Sequence, residues 1–344
     1  MPKSADESII DPMKKTILVT GGAGYIGSHT TEALIEAGFE VIVVDDLSTG
    51  YERLLHPKAR FYIYNVLETE KITSIMKNEC ISAVVHFAAK IIVPESISEP
   101  LNYYRNNTMG VLSLLEACKA SSIKNIVFSS TAAVYGNASM ELITESSPLA
   151  PINPYGSSKL FSETLIRDSE IEFGLKSVVL RYFNVAGASA SGKFGQLSKN
   201  ATHLIKIASE AACGKRDSMS ITGTDYPTPD GTGVRDYIHV EDLADVHVLA
   251  LKYLLNGGES EIFNCGYGHG SSVREVVDMV KKVSGVNFKA IEADRRPGDA
   301  AQLVADSTKV RRILNWSPKR DSLELICRSA YEFEKSFQFF GTNK

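Results

Sequence analysis

The stretch TILVTGGAGYIGSHTTEALIEAGFEVIVVDD, residues 16–46, decides the fold. It opens with a short β-branched run at 16–20, continues as a helical pattern from Tyr25 closed by Gly38, and ends in a second strand at 40–46. Gly21, Gly24 and Gly27 sit between the first strand and the helix. A turn there needs φ angles that other residues avoid, and close backbone approach to a bound group needs the missing Cβ. The helix N-terminus behind it offers free N–H groups and a partial positive charge to a pyrophosphate. A ligand-free tight turn is the plain alternative; strand, helix and a following acid together weigh against it. That acid, Asp45, ends the second strand, and its carboxylate suits ribose hydroxyls while repelling a 2′-phosphate. With no basic residue before Arg53, the expected cofactor is NAD and not NADP. Asp46 serves equally well as a turn acid.

Working outward, RFYIYN, AVVHFAA, NIVFSS and KSVVLRYFN continue the strand series, with helical stretches at about 68–78, 99–121 and 154–173 between them. Strands apolar on both faces and separated by helices make a parallel sheet covered on both sides. The expected fold is α/β, a doubly wound parallel (Rossmann) sheet with a smaller C-terminal α/β lobe. The expected division is a mobile extension at 1–14, a dinucleotide-binding domain at 15–185 and a substrate lobe at 186–344, some later segments returning to the sheet. In the second part a loop (GASASGKFG) precedes a helix (HLIKIASEAACG) and the Gly-, Pro- and Asp-rich loop 222–237. Helices near 241–255 and 272–284, the strand EIFNCG and a final strand near 287–293 complete it.

A chain of 344 residues with 44% hydrophobic and 23% charged residues matches an ordinary globular protein. A net charge of -4 excludes the broad basic surface of a nucleic-acid binder, though a few arginines suffice for one anionic ligand. No apolar run reaches transmembrane length, and the polar, acidic first residues do not read as a targeting helix. Five scattered cysteines (Cys80, Cys118, Cys213, Cys265, Cys327) without a CxxC pair indicate reduced thiols and a cytoplasmic setting. No metal is expected. His239 and His247 are too far apart for a tight pair, and His86 ends a buried strand as a core residue.

SSTAAVYG, residues 129–136, ends a buried strand with hydroxyls and a tyrosine where packing alone would place aliphatics. In NPYGSSK, Asn153 is a natural N-cap and Pro154 fits the first helical position. Tyr155 and Lys159 follow, one turn apart on one helix face. A free phenol titrates near pH ~10; an ammonium, a helix N-terminus and a positively charged nicotinamide would each favour the phenolate. A hydroxyl of 129–131 would hold a substrate oxygen beside it. By spacing alone, a helix-capping tyrosine and a solvated lysine account for the pair equally well.

The combination TGxxGxxG, strand-end Ser/Thr and Tyr-x-x-x-Lys resembles the extended, sugar-nucleotide-modifying branch of the short-chain dehydrogenase/reductase superfamily. The segments GGAGYIGSH, FSSTAAVYG, LRYFNVAGA, DYPTPDGTGVRDYIHVEDLADVH and RRPGD narrow the resemblance to the UDP-hexose 4-epimerases, over about residues 15–320. That resemblance implies interconversion of UDP-glucose and UDP-galactose, with Tyr155 as base, Thr131 bonding the sugar O4, and Lys159 binding the nicotinamide ribose and lowering the Tyr155 pKa. It also implies NAD contacts from Gly21, Gly24, Tyr25, Ile26, Gly27 and Asp45. Further contacts would come from Asn65, Val66, Phe87, Ala88 and Ala89, then from Asn106, Ser129 and Tyr182. Asn184, His203, Leu204, Arg235, Arg296 and Asp299 would hold the UDP-sugar, the arginines on its phosphates. A homodimer through helices near 99–121 and 154–172 is implied as well.

Ala132 and Ala133 stand where related dehydratases carry an acid pair and related decarboxylases tend to carry an acid, so elimination is disfavoured. Asn65 replaces an aspartate that meets adenine in many relatives. Lys90 falls one place before the usual lysine site, now Ile91, and is not counted as a ligand. Thr222 replaces an aromatic beside the uracil, and Leu303 a tyrosine that crowds the sugar 2-position, which leaves N-acetylated sugars open. The alternatives are epimerisation of UDP-pentoses or UDP-N-acetylhexosamines, decarboxylation on the same scaffold, and a non-enzymatic NAD-binding sensor. The retained Tyr/Lys pair weighs against the last.

Overall fold

Ile17, Leu18 and Val19 have no exposed surface, so β1 (Thr16–Thr20) is covered on both faces. The computed structural model describes residues 15–138, 142–198, 201–296 and 299–339; the expected extension at 1–14 lies outside them. Strands β2 (Glu40–Val44), β3 (Arg60–Tyr62), β4 (Ile81–His86), β5 (Asn125–Thr131) and β6 (Lys176–Tyr182) follow along the chain. Next come β7 (Asn184–Ala186), β8 (Met219–Thr222), β9 (Val234–Arg235) and β10 (Tyr237–His239), before β11 (Glu261–Cys265) returns to the sheet edge. The central sheet has seven parallel strands in the order β11-β6-β5-β4-β1-β2-β3. Chain order reverses direction at β1, between β4 and β2, which opens a ligand crevice at the carboxyl ends of those strands.

The helices are α1 (Tyr25–Glu36), α2 (Thr69–Asn78), α3 (Val93–Ser98), α4 (Pro100–Tyr103), α5 (Met109–Ala120) and α6 (Pro154–Phe173). They continue as α7 (Leu204–Ala212), α8 (Val240–Leu255), α9 (Val273–Ser284), α10 (Thr308–Leu314) and α11 (Leu323–Phe339). Alternation along the strands divides the core. Ile17, Val19, Val85 and Val127 meet Leu34 of α1 and Val246 of α8 on one face. Leu18, Val84, Ile126 and Phe128 meet Met76 of α2, Leu114 of α5 and Ile166 of α6 on the other. Each such side chain contributes about 1.5–3 kcal/mol by leaving water.

The later chain forms small sheets: β10 with β7, β9 between β12 (Ser271–Ser272) and β14 (Gln302–Leu303), and β13 (Ala290–Ala293) with β8. Helices α7, α9 and α11 pack against one another there. The strand expected last is therefore followed by another, and α10 and α11 go beyond the expected elements.

The helix expected over 99–121 runs from Pro100 to Ala120 and is helical throughout, but it is not uniformly α. Glu99 leaves helical geometry with φ -127° and ψ 53°, and Pro100 restarts the chain as α4. Residues Tyr104–Thr108 then form a π-helical turn before α5. The widened turn carries Asn107 inward, where its amide spans two elements. Its Oδ1 accepts Lys90 N–H at 2.8 Å, and its Nδ2 donates to Lys90 O and Ser158 Oγ, each at 3.0 Å.

Candidate active site

The glycine turn is shaped by close backbone approach. Gly21 has φ +74°, and a Cβ there would lie 2.6 Å from Ala88 N. A Cβ on Gly27 would lie 2.2 Å from Gly21 O, so α1 could not start against the turn. Gly24 is freer, with only Gly21 O at 3.2 Å, and as N-cap of α1 it brings no side chain to the first-turn amides. The turn thus presents bare backbone and an uncapped helix end, the arrangement a pyrophosphate needs.

Asp45 is buried beside it. Its Oδ2 accepts Ala23 N–H at 3.0 Å and its Oδ1 accepts Leu47 N–H at 2.9 Å. Burial pushes its pKa up and the two amides oppose that. Each oxygen keeps a further lone pair for a ribose hydroxyl. Asn65 donates to Asp46 Oδ2 at 2.6 Å and accepts Leu67 N–H at 2.9 Å, so its amide is partnered within the protein. Val66 is buried and its carbonyl accepts Ser113 Oγ–H at 2.8 Å. Phe87, just past β4, lies 4.8 Å from the His247 ring, and Ala88 and Ala89 follow it along the glycine turn. Tyr25 donates its hydroxyl to Gly187 O at 2.6 Å, tying α1 to the later chain, and Ile26 packs on the core. Asn106 donates to Asn107 Oδ1 at 3.0 Å. These residues fit a dinucleotide lying along the carboxyl ends of β1, β2 and β4.

At the end of β5 each hydroxyl has its own task. Ser129 Oγ lies 3.3 Å from His247 Nε2 and also bonds Tyr182. The carbonyl of Leu243 takes the proton of His247 Nδ1, at 2.9 Å, so Nε2 is the acceptor for Ser129. Ser130 turns to the opposite face and donates to Glu163. Thr131 Oγ1 accepts Ala133 N–H at 3.1 Å and bonds the Tyr155 phenol.

Helix α6 starts where the sequence places it. Asn153 Oδ1 accepts Gly156 N–H at 2.9 Å, with Pro154 in the first turn. A Cβ on Gly156 would stand 2.6 Å from Ala133 O, so glycine lets the helix end sit on the 132–135 turn. Tyr155 and Lys159 are both buried, facing the strand end. Lys159 Nζ donates to Ser129 O at 2.9 Å and lies 4.9 Å from the centre of the Phe128 ring. Burial pulls Lys159 down to about 7, opposed by the Glu163 carboxylate. Burial pushes the Tyr155 phenol up, opposed by the Thr131 hydroxyl. Lys159 is not among the groups acting on the phenol, whose pKa burial raises.

Asn184, His203 and Leu204 line one cavity together with Gln196, Lys206 and Glu334. His203 Nδ1 lies 2.9 Å from Gln196 Nε2, and the Asn184 side chain bonds Tyr237. Arg235 in β9 pairs in register with Leu303 of β14. Arg296 and Asp299 are exposed and joined by an Asp299 N–H to Arg296 O bond of 3.2 Å. Tyr226, absent from the expected set, lies among these groups. Arg295 stacks 4.1 Å over its ring, Asp299 and Arg235 act on it electrostatically, and its buried hydroxyl has no hydrogen-bond partner among the described residues. Its setting in TDYPTPDG reads as a turn and gives no signal of this convergence. Asn107 was likewise illegible, because contacts to Lys90 and Ser158 give it its place. The histidines act structurally: His86 pairs with Thr20 at 2.7 Å, and His239 Nδ1 accepts Glu241 N–H at the start of α8.

A doubly wound sheet with a bare glycine cradle, a buried acid at the end of the second strand and a Tyr/Lys pair at the strand end defines a nucleotide-dependent oxidoreductase-type site. The chain belongs to the NAD dependent epimerase/dehydratase family, whose model matches residues 17–266. It is 52% identical over 322 residues to the UDP-glucose 4-epimerase of Azospirillum brasilense, covering 94% of this chain and 92% of that one. A crystal structure of a UDP-glucose 4-epimerase superposes with a TM-score of 0.92 at 42% identity, covering 96% of this chain and 100% of the other. The UDP-glucose-4-epimerase from Stenotrophomonas maltophila, solved with NAD and formylated UDP-arabinopyranose, gives a TM-score of 0.92 at 35% identity, covering 95% and 100%.

Proposed function

We propose that this chain is an NAD-dependent isomerase that interconverts UDP-glucose and UDP-galactose at carbon 4 of the hexose. The observation that carries this reading is the buried Tyr155–Thr131 contact with Lys159 on the adjacent strand carbonyl, beside a glycine cradle. Identity of 52% to a UDP-glucose 4-epimerase over nearly the whole chain supports it. The residue roles belong to the same proposal. Gly21, Gly24, Gly27 and Asp45 hold NAD, with the further contacts expected above. Bound NAD supplies a reversible hydride acceptor and a positive charge. Tyr155 moves a proton between its phenol and the sugar 4-hydroxyl, and Thr131 orients both oxygens. Lys159 holds the ribose side and adds charge beside the phenol. Arg235 and Arg296 grip the pyrophosphate and Asp299 the uridine ribose, while the hexose is held loosely enough for its 4-keto form to turn over. Ala132 and Ala133 bring no acid to this point, which leaves oxidation and re-reduction without elimination.

The same reading divides the chain into a nucleotide domain at 15–185, with β11 returning to it, and a UDP-sugar lobe at 186–344. It makes the active form a homodimer, supported by Ile97 (60% exposed), Leu101 (75%) and Phe161 (53%) on α3, α4 and α6. It places the protein in the cytoplasm. The described residues include no helix long and apolar enough to cross a membrane and no disulfide. Acceptance of N-acetylated sugars is a second reading, favoured by Leu303 opposite Arg235. In the test, purified protein converts UDP-galactose to UDP-glucose without added cofactor. No product, with or without NAD, contradicts the proposal; parallel assays with UDP-N-acetylglucosamine decide the second reading.

A further inference from the structure

Behind the strand end lies a charged cluster that no step above uses. Ser130 and Arg181 are register partners on β5 and β6, and both bond the carboxylate of Glu163 on α6. Arg181 Nε donates to Glu163 Oε1 at 3.0 Å, and Nη2 reaches Oε2 to complete a two-pronged pair. Its Nη1 donates to the Tyr135 hydroxyl at 2.9 Å, and Tyr135 donates to Asn264 Oδ1 at 2.7 Å. Glu163 is 7% exposed and Arg181 2%, so the pair is desolvated. Replacing a buried ion pair by apolar residues of similar volume is often neutral or stabilising, so these two charges are weak evidence of a purely stabilising role.

Two features of the site lie within their reach. Glu163 is one helical turn beyond Lys159, and Tyr135 ends the turn that begins after Thr131. One carboxylate thus fastens the helix bearing Tyr155 and Lys159 to the strand end bearing Ser129 and Thr131. Resting on the epimerase reading, we propose that Glu163, clamped by Arg181, is a positioning residue. It sets α6 against the end of β5 and supplies the fixed negative charge behind Lys159. The electrostatics agree, since Glu163 opposes the burial that pulls Lys159 down. Lys159 is faced from β4 by His86, from β5 by the Phe128 ring and the Ser129 carbonyl, and on its own helix by Glu163. Glu163 is faced by Ser130, Arg181 and, through Arg181, Tyr135.

Two variants test this, Glu163→Gln and the apolar pair Glu163→Leu/Arg181→Met. In Glu163→Gln, Lys159 loses the anion that opposes its burial, so it gives up its proton more readily. The alkaline limb of kcat then moves to lower pH. We expect kcat to fall by on the order of tenfold or more, with KM for UDP-galactose nearly unchanged. The apolar pair folds with a Tm close to wild type but keeps the reduced kcat, because Ser130 has lost its acceptor. Wild-type kcat and alkaline limb in Glu163→Gln would overturn the proposal, as would full recovery of kcat in the apolar pair. If Glu163→Gln does not fold, the apolar pair alone decides by the same criterion. An unmodified protein that fails to epimerise UDP-galactose would overturn the functional reading itself, whereas an active one with indifferent variants overturns only the positioning role.

Discussion

Tyr155 stands where two physical demands conflict. Burial excludes water from the sugar, yet it holds the phenol neutral, with Thr131 pulling the other way. Lys159 gives a hydrogen bond to Ser129 O and is itself pulled down to about 7, so its charge is also marginal. A positive charge arriving with a bound ligand would favour the phenolate against this burial. Removal of the single hydroxyl in Tyr155→Phe should lower kcat by about 10²–10⁴-fold while the protein still copurifies with nucleotide. Turnover and absorbance of the released cofactor check this, and near wild-type turnover would remove Tyr155 from the role of base. Asp45, the glycines and the Tyr/Lys pair were legible because local spacing carries them. Tyr226 and Glu163 were not, because Arg295 stacks on the one and Ser130 and Arg181 bond the other from distant parts of the sequence.

Helix α6 shows how an element sets the geometry of those residues. Its start is held by Asn153, and Asn153→Ala should reduce stability by about 1 kcal/mol in urea unfolding with little change in kcat. Gly156→Ala should do the reverse. Helix propensity favours alanine by about 1 kcal/mol, but the new Cβ would meet the Ala133 carbonyl at 2.6 Å. The helix end must lift from the 132–135 turn, separating Tyr155 from Thr131, so kcat should fall by at least about tenfold. Equal kcat in both variants would disconnect this contact from catalysis. The central strands and α6 were readable from periodicity and caps. The π-helical turn at Tyr104–Thr108 was not, since the bonds of Asn107 to Lys90 and Ser158 hold it, and pairings as short as β9, β12 and β14 leave no periodic trace.

Across the whole molecule, the sheet joins the two functions: β11 and the tie from Tyr25 to Gly187 couple the nucleotide side to the later chain. Its core also buries neutral histidines, with His86 pulled to about 3 and His29 and His247 to about 4. Their folded pKa values lie below the unfolded value near ~6.5. The unfolded chain thus binds more protons as pH falls through that value, and the stability present above it is lost toward pH 4. At pH 5 each should cost about 2 kcal/mol relative to pH 7. The urea midpoint should drop over this interval, less steeply in His247→Gln; a flat profile would contradict neutral burial. The central claim is that one hydrogen leaves carbon 4 and returns to it inside a site closed to water. Incubation of the protein with UDP-galactose deuterated at carbon 4 tests it directly. Retention of the label at carbon 4 of the UDP-glucose formed is the predicted result, and replacement of that deuterium by solvent hydrogen would contradict it.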